Sequence, residues 1–183
     1  MRKLVLYQLL SLDGVAEEPS DWFFDDGPEV FDNLARVIET QDDILLGRGT
    51  YDYWVGYWPT ADVEPFASFV NGTRKHLVTS SAPTAPWANT TVVTTPVADY
   101  VTEMKHRAGG DIGIHGSIGL ARSLVYAGLV DELRLVVAPA LAGHGRRLFG
   151  GDDGALQALD LVDVQRSPQG TLFLTYERRP PAA

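Results

Sequence analysis

Residues 3–10, Lys-Leu-Val-Leu-Tyr-Gln-Leu-Leu, carry apolar side chains at both odd and even positions. A strand of that kind is covered on both faces, so the N-terminus belongs in the middle of a sheet. From Pro28 the spacing changes: Phe31, Leu34, Ala35 and Ile38 recur at three and four and predict a helix, before Asp-Asp-Ile-Leu-Leu-Gly at 42–47 returns to a buried strand. A loop rich in aromatics and proline leads to a short helix around Phe66–Val70 and then to strands at 75–81 and 90–95. Val97, Tyr100, Val101 and Met104 mark another helix closed by Gly109–Gly110, followed by a strand at 111–115 and a helix at 117–127 that Gly128 should cap in the left-handed conformation. The tail changes character. Strands at 132–139 and 171–178 flank a stretch of weak helical pattern and are expected to add antiparallel at one edge. The alternation predicts one α/β domain over 1–183, with three layers and a mixed, mostly parallel sheet with antiparallel C-terminal edge strands.

Composition narrows the function. The 183 residues, 45% hydrophobic, suffice for one substantial core. There is no cysteine, which excludes a thiolate nucleophile and cysteine-ligated metal. The histidines at 76, 106, 115 and 144 have no ligand spacing, so no metal site is expected. A net charge of −9 without a basic stripe argues against nucleic acid, and no apolar run approaches the roughly 20 residues that cross a bilayer. A cytoplasmic protein acting on a small molecule is the expectation. An anionic ligand would need a local positive pocket.

In open α/β sheets ligands gather where strands end and helices begin. Three such turns suit phosphate. Gly47-Arg48-Gly49-Thr50 offers bare backbone, a guanidinium and a hydroxyl, or an ordinary helix start. Ser80 and Ser81 end the strand opened by Arg74–Lys75 and serve equally as loop residues. His115-Gly116-Ser117-Ile118-Gly119 leaves three readings open: a phosphate cradle, a plain helix cap, or the nucleophile turn of a serine hydrolase, with Asp131 and His144 following in suitable order. His115 stands where that nucleophile turn requires glycine, which weakens the last reading.

Ser11-Leu12-Asp13-Gly14 follows the first strand, and Asp13 reads as a turn residue or as a group that orients or protonates a substrate. Asp32 reads as a favourable first-turn acid or as a proton donor facing a pocket. Trp22, Phe23, Phe24, Tyr51, Trp54, Tyr57 and Trp58 lie in two loop regions that could converge as a wall for a flat ring. Gly143-His144-Gly145-Arg146-Arg147 could bring positive charge to an otherwise acidic chain.

Taken in chain order, Ser-Leu-Asp-Gly, Ile-Leu-Leu-Gly-Arg-Gly-Thr-Tyr, Arg-Lys-His-Leu-Val-Thr-Ser-Ser, Ile-His-Gly-Ser-Ile, Gly-Leu-Val-Asp-Glu-Leu and Pro-Ala-Leu-Ala-Gly-His-Gly-Arg-Arg-Leu-Phe resemble the dihydrofolate reductase-like superfamily. Within it, the sequence is most similar to the group related to the C-terminal reductase domain of the bifunctional riboflavin-biosynthesis deaminase-reductase. The resemblance implies a dihydrofolate reductase-like fold binding NADPH. Gly47, Arg48, Gly49 and Thr50 would sit at the phosphates, and Ser80 and Ser81 beside the adenine ribose and its 2′-phosphate. Gly116, Ser117 and Ile118 would cradle the pyrophosphate, with His115 next to them. Ser11, Asp13 and Gly14 would border the nicotinamide and substrate, with Trp22, Tyr51 and Trp54 as substrate contacts. Asp13 and Asp32 are then the candidate catalytic acids.

The implied activity is hydride transfer to a small heteroaromatic, pterin-like or ribosylamino-pyrimidine-like substrate, in a homodimer. A non-catalytic nucleotide-binding domain of the same fold and a serine hydrolase using Ser117 stand as alternatives. The deaminase half of the bifunctional enzyme has no counterpart in these residues. His115 departs from the glycine the group favours and is expected to narrow the cofactor's approach.

Overall fold

The computed structural model describes residues 1–150 and 154–179. A single eight-stranded sheet runs in the order β4-β3-β2-β5-β1-β6-β8-β7. The strands are β1 Leu4–Leu10, β2 Gln41–Gly47, β3 Arg74–Val78, β4 Thr90–Val93, β5 Asp111–His115, β6 Glu132–Val137, β7 Leu159–Arg166 and β8 Leu172–Arg178. The first six are mutually parallel, β8 pairs antiparallel with β6, and β7 pairs antiparallel with β8. The five α-helices are α1 Pro28–Ile38, α2 Arg48–Trp54, α3 Phe66–Gly72, α4 Val97–His106 and α5 Ile118–Tyr126.

β1 is central because both its faces are apolar. Leu4, Leu6 and Leu10 pack with Ile112, Ile114, Met104 from α4 and Leu124 from α5. From the other face Val5 and Tyr7 pack with Val37 of α1. Farther along that face, Ile44, Leu46 and Leu77 meet Phe66 and Val70 of α3. The three layers follow directly from strands with no polar face to expose. α5 closes as anticipated: Gly128 adopts φ +69, and the Gly128 and Leu129 N–H groups donate to the Val125 and Leu124 carbonyls.

Two expectations are corrected. The buried face of α1 is Val30, Leu34, Val37 and Ile38, while Phe31 is 39% exposed. The buried stripe keeps Leu34 and Ile38 of the predicted one, with Val30 and Val37 taking the places of Phe31 and Ala35. The C-terminal strands are also arranged differently. β6 is an inner strand parallel to β1, and the extra strand β7 fills the stretch read as featureless. β7 alternates weakly because a bulge between Leu161 and Asp163 breaks its period and most of its residues face solvent.

Candidate active site

The carboxyl ends of β1, β2 and β5 open into a cleft of about 570 Å³. Its floor is Tyr7, Gln8 and Leu9 of β1 with His115 of β5, which is paired to Tyr7 across the ladder. One rim holds Gly49 and Thr50 of α2 and Gly116, Ser117 and Ile118 at the start of α5. An aromatic wall of Trp54, Tyr57, Trp58 and Phe66 adjoins this rim, with Trp54 beside Gly116, and Glu17 and Glu18 also line the cleft.

The rim is built from two strand-end turns locked together. Gly116 and Ser117 take successive left-handed conformations, φ +66 and +61, which a non-glycine residue adopts only at a cost. That conformation aims the Ser117 hydroxyl away from its own helix, where it makes no capping bond, and toward β2, where Oγ accepts the Gly47 N–H at 2.8 Å. A Cβ at Gly47 would touch Ser117 at 3.4 Å, while one at Gly49 would meet nothing within 4 Å. The first glycine lies in contact range of Ser117, and the second leaves backbone open to a ligand.

Beyond this rim, Arg48 donates to Ser81 Oγ at 2.7 Å and to the Ser81 carbonyl at 3.3 Å, and its Nε pairs with Asp52. Asp52 also accepts from the Thr84 N–H and hydroxyl at 3.2 and 2.9 Å. Ser80 is exposed beside them. The three candidate phosphate turns thus form one continuous line: Ser117 to Gly47, then Arg48 to Ser81.

His115 is 3% exposed and lies at the floor of the cleft. It lies among Tyr7, Phe66 and Phe69, with centroids 5.3–5.7 Å away, and its Nε2 donates to Gln41 Oε1 at 2.7 Å. Gly113, two residues earlier on the same face, makes the room: a Cβ there would lie 2.1 Å from Gln41 Oε1 and 2.8 Å from His115 Nε2. Burial holds the imidazole at about 3, so it is neutral, and with the proton on Nε2 its Nδ1 is a bare acceptor without a partner. Gln8 Oε1 is a second buried acceptor left unpaired at the same floor. Burial likewise pushes the Tyr7 phenol well above its ordinary range.

Of the residues singled out from sequence, Gly49, Thr50, Trp54, Tyr57, Trp58, His115, Gly116, Ser117, Ile118 and Arg146 line the cleft. Others are placed elsewhere. Asp32 is exposed on α1 and does not line the cleft: lying two residues from both Val30 and Leu34, it points about 200° from the buried stripe. Asp13 accepts from the Ser11 hydroxyl at 2.6 Å and from the Ala142 and Gly143 N–H groups at 3.0 Å each. Those bonds hold its carboxyl near 2, so it is an ionised clamp between two loops with no proton to give at neutral pH. Ser11 and Gly14 form the same turn.

Trp22 is buried and donates from Nε1 to the Glu17 carbonyl at 2.9 Å. Tyr51 is fully buried against Trp87, with its hydroxyl on the Ala85 carbonyl at 3.1 Å. Both build the walls from behind. Sequence reasoning missed Tyr7, Gln8, Glu17, Glu18 and Tyr53. A charge pair in a loop gives no periodic signal, and the strand positions are visible only once the open end of β1 is known.

The Ser117 hydroxyl is bonded to Gly47, and among the described residues no histidine or carboxylate bonds to it, so the acid–base partners of a hydrolase are not assembled. No group of histidines and carboxylates among the described residues could hold a metal ion.

Residues 2–173 match the family model of the RibD C-terminal domain. The chain belongs to that family. It is 29% identical over 181 residues to the uncharacterized protein YyaP of Bacillus subtilis (strain 168), covering 96% of this chain and 94% of that one. Among solved structures, it superposes on a putative riboflavin biosynthesis protein from Shewanella sp. PV-4 with a TM-score of 0.79 at 17% identity, covering 97% and 99% of the two chains. It also matches a diaminohydroxyphosphoribosylaminopyrimidine deaminase/5-amino-6-(5-phosphoribosylamino)uracil reductase from Thermotoga maritima, with a TM-score of 0.69 at 14% identity, over 97% of this chain and 57% of that one. These likenesses bear out the dihydrofolate reductase-like fold.

Proposed function

We propose that the protein is an NADPH-dependent reductase of a small heteroaromatic substrate. The observation that carries this reading is the continuous line of strand-end turns beside one cleft. The reduced nicotinamide would supply a hydride for a polarised C=N or C=O carbon. Gly116, Ser117 and Ile118, with their free N–H groups at the start of α5, would hold the pyrophosphate together with Gly49 and Thr50. Arg48, with Ser80 and Ser81, would face the 2′-phosphate.

The cleft floor also fits the cofactor. Gln8 Oε1 and His115 Nδ1 are buried acceptors lacking donors, and a carboxamide NH2 is a donor of the right kind. Family membership and the reductase neighbours support the chemistry. No helix among the described residues is long and apolar enough to cross a membrane, in keeping with a cytoplasmic enzyme.

Titrating NADPH while following tryptophan fluorescence tests this reading. Saturation at tens of micromolar or below is expected, and turnover across pterin, pyrimidine and quinone substrates should follow. No saturable change would overturn it. We also propose a homodimer closed through the edge strand β7, where Leu161, Val162 and Val164 are each more than half exposed. Sedimentation of the protein and of the Leu161→Lys/Val164→Lys variant checks this: the first should sediment as a dimer and the second as a monomer.

A further inference from the structure

The aromatic wall that adjoins the phosphate rim has a composition of its own. Trp58 packs nearly edge-on to three rings: Tyr57 at 5.0 Å and 80°, Phe66 at 4.9 Å and 70°, and Trp54 at 6.0 Å and 79°. Rings set perpendicular to one another make corners, so several negative π-faces border one space. The wall is not sealed in the core, since Tyr53 is 70% and Tyr57 50% exposed.

The charges in the cleft have one prevailing sign. Glu17, Glu18 and Arg146 are the charged side chains lining the cleft. Arg146 is already engaged: its Nε donates to Glu17 Oε1 at 2.5 Å and its backbone N–H to Glu17 Oε2 at 3.0 Å. The Glu18 carboxylate has no partner among the described residues, and its backbone is held left-handed at φ 44, a conformation costly for a residue with a Cβ. The strain is fixed by the Asp21 N–H on the Glu18 carbonyl at 3.0 Å and by Trp22 on the Glu17 carbonyl at 2.9 Å. The cleft thus keeps one uncompensated negative charge and an aromatic corner. It offers no lysine to a phosphorylated substrate, and its one arginine, Arg146, is paired through Nε with Glu17.

We infer that the substrate compartment takes a flat organic cation without phosphate, such as a quaternary nitrogen heteroaromatic, held between the Trp54–Tyr57–Trp58 corner and the Glu18 carboxylate. The inference rests on the proposed reductase reading for the placement of the cofactor and narrows its substrate class. It separates this chain from phosphoribosylated pyrimidines, whose phosphate would meet the Glu18 carboxylate and a cleft whose one arginine is already paired with Glu17.

Calorimetric titration of the full chain with N-methylquinolinium, quinoline and uridine 5′-monophosphate at pH 8, each with and without saturating NADPH, tests the inference. N-methylquinolinium should bind at least about tenfold more tightly than quinoline, and uridine 5′-monophosphate should not compete with it. Glu18→Gln should remove most of that preference while leaving quinoline unchanged, and Tyr57→Leu should weaken the cation about fivefold. Equal affinity for the cation and quinoline, or tighter binding of the phosphate ester, overturns it. So does cation binding that NADPH displaces, because the cation would then be occupying the place of an oxidised nicotinamide ring. The two readings fail separately. Cation binding without any NADPH binding overturns the cofactor assignment and leaves the cation compartment standing, whereas NADPH binding without a cation preference overturns only the compartment.

Discussion

The two ends of the parallel sheet treat charged groups in opposite ways. At the amino end Asp43 accepts from Arg2 at 2.6 Å, from Arg74 at 2.8 and 2.9 Å, and bonds His76 Nε2 at 2.8 Å, while His76 Nδ1 bonds the Tyr100 hydroxyl. Arg2 also donates to the Gly110 carbonyl at 2.5 Å and pairs with Asp42. The Arg2 and Asp43 side chains are each only 4% exposed, yet every charge there has an answer. At the carboxyl end, by contrast, Gln8 Oε1, His115 Nδ1 and the Glu18 carboxylate have none among the described residues, and aromatic faces stay open. Polar groups satisfied within the fold add stability and specify it, whereas groups left unsatisfied beside a cleft are available to a ligand. One sheet thus separates its stabilising electrostatics from its functional ones.

The largest way to break that comparison is Asp43→Ala. It leaves Arg2 buried with part of its pairing gone and should cost about 3–5 kcal/mol of stability, read from urea denaturation. NADPH affinity of the folded fraction should barely move. A cost below about 1 kcal/mol would mean the network is not sealed. Burial opposes the Asp43 charge, but the bonds from Arg74, His76 and Arg2 outweigh it and hold the carboxyl well below its ordinary value. A depressed carboxyl contributes stability that is fully present above its unfolded value near 3.9 and is lost as pH falls through the folded one. Acid unfolding of the parent protein should therefore steepen below about pH 4, and the variant should lack that component.

The second effect belongs to His115. Its folded value of about 3 lies below its unfolded value of 6.5, so the unfolded chain takes up this proton first. The stability it contributes is present above about pH 6.5 and is lost as pH falls toward 3, by up to about 1.4 kcal/mol per pH unit. Denaturation at pH 4, 5 and 6 should show a shallower slope for His115→Gln than for the parent. Identical slopes would mean that the ring is solvated or charged, and the floor of the cleft would need redrawing.

The central place of β1 and the line of phosphate turns are legible in the sequence because both follow from contiguous signals. Apolar runs mark buried strands, and glycines beside small hydroxyls mark where those strands end. The substrate side was less legible for the same physical reason. Asp32 lies in the expected helix, but its direction depends on how that helix packs, and the buried stripe takes Val30 and Val37 where the sequence pattern points to Phe31 and Ala35. Asp13 carries the residue type of an acid, yet its role is decided by N–H groups from residues 142 and 143, nearly 130 positions away. His115 looked like an obstruction until Gly113 showed where the ring goes.

The third test sharpens the carboxyl end itself. Arg48→Ala removes the cation at Ser81, so it should weaken NADPH about tenfold and NADH much less, measured by fluorescence titration of both. Equal losses for the two cofactors would remove Arg48 from the 2′-phosphate. Asp52→Asn should move the opposite way, strengthening NADPH a few-fold, because it frees Arg48 of its paired carboxylate.

The smallest expected effect is that of Ser117→Ala, and it bears on the oldest ambiguity in the sequence. The hydroxyl accepts the Gly47 N–H and gives its own helix no cap, so its loss unties the two turns of the rim at a cost of about 1 kcal/mol. The backbone N–H groups that would hold the pyrophosphate remain, and NADPH affinity should fall only a few-fold. A nucleophile behaves differently: its removal abolishes turnover and labelling by a fluorophosphonate probe while leaving cofactor affinity untouched. Retained reductase activity with a modestly weaker cofactor therefore assigns Ser117 to the rim. Loss of fluorophosphonate labelling on a parent protein that had been labelled would assign it to a hydrolase instead, and the carboxyl end of the sheet would then serve a reaction that its bonding to Gly47 does not prepare.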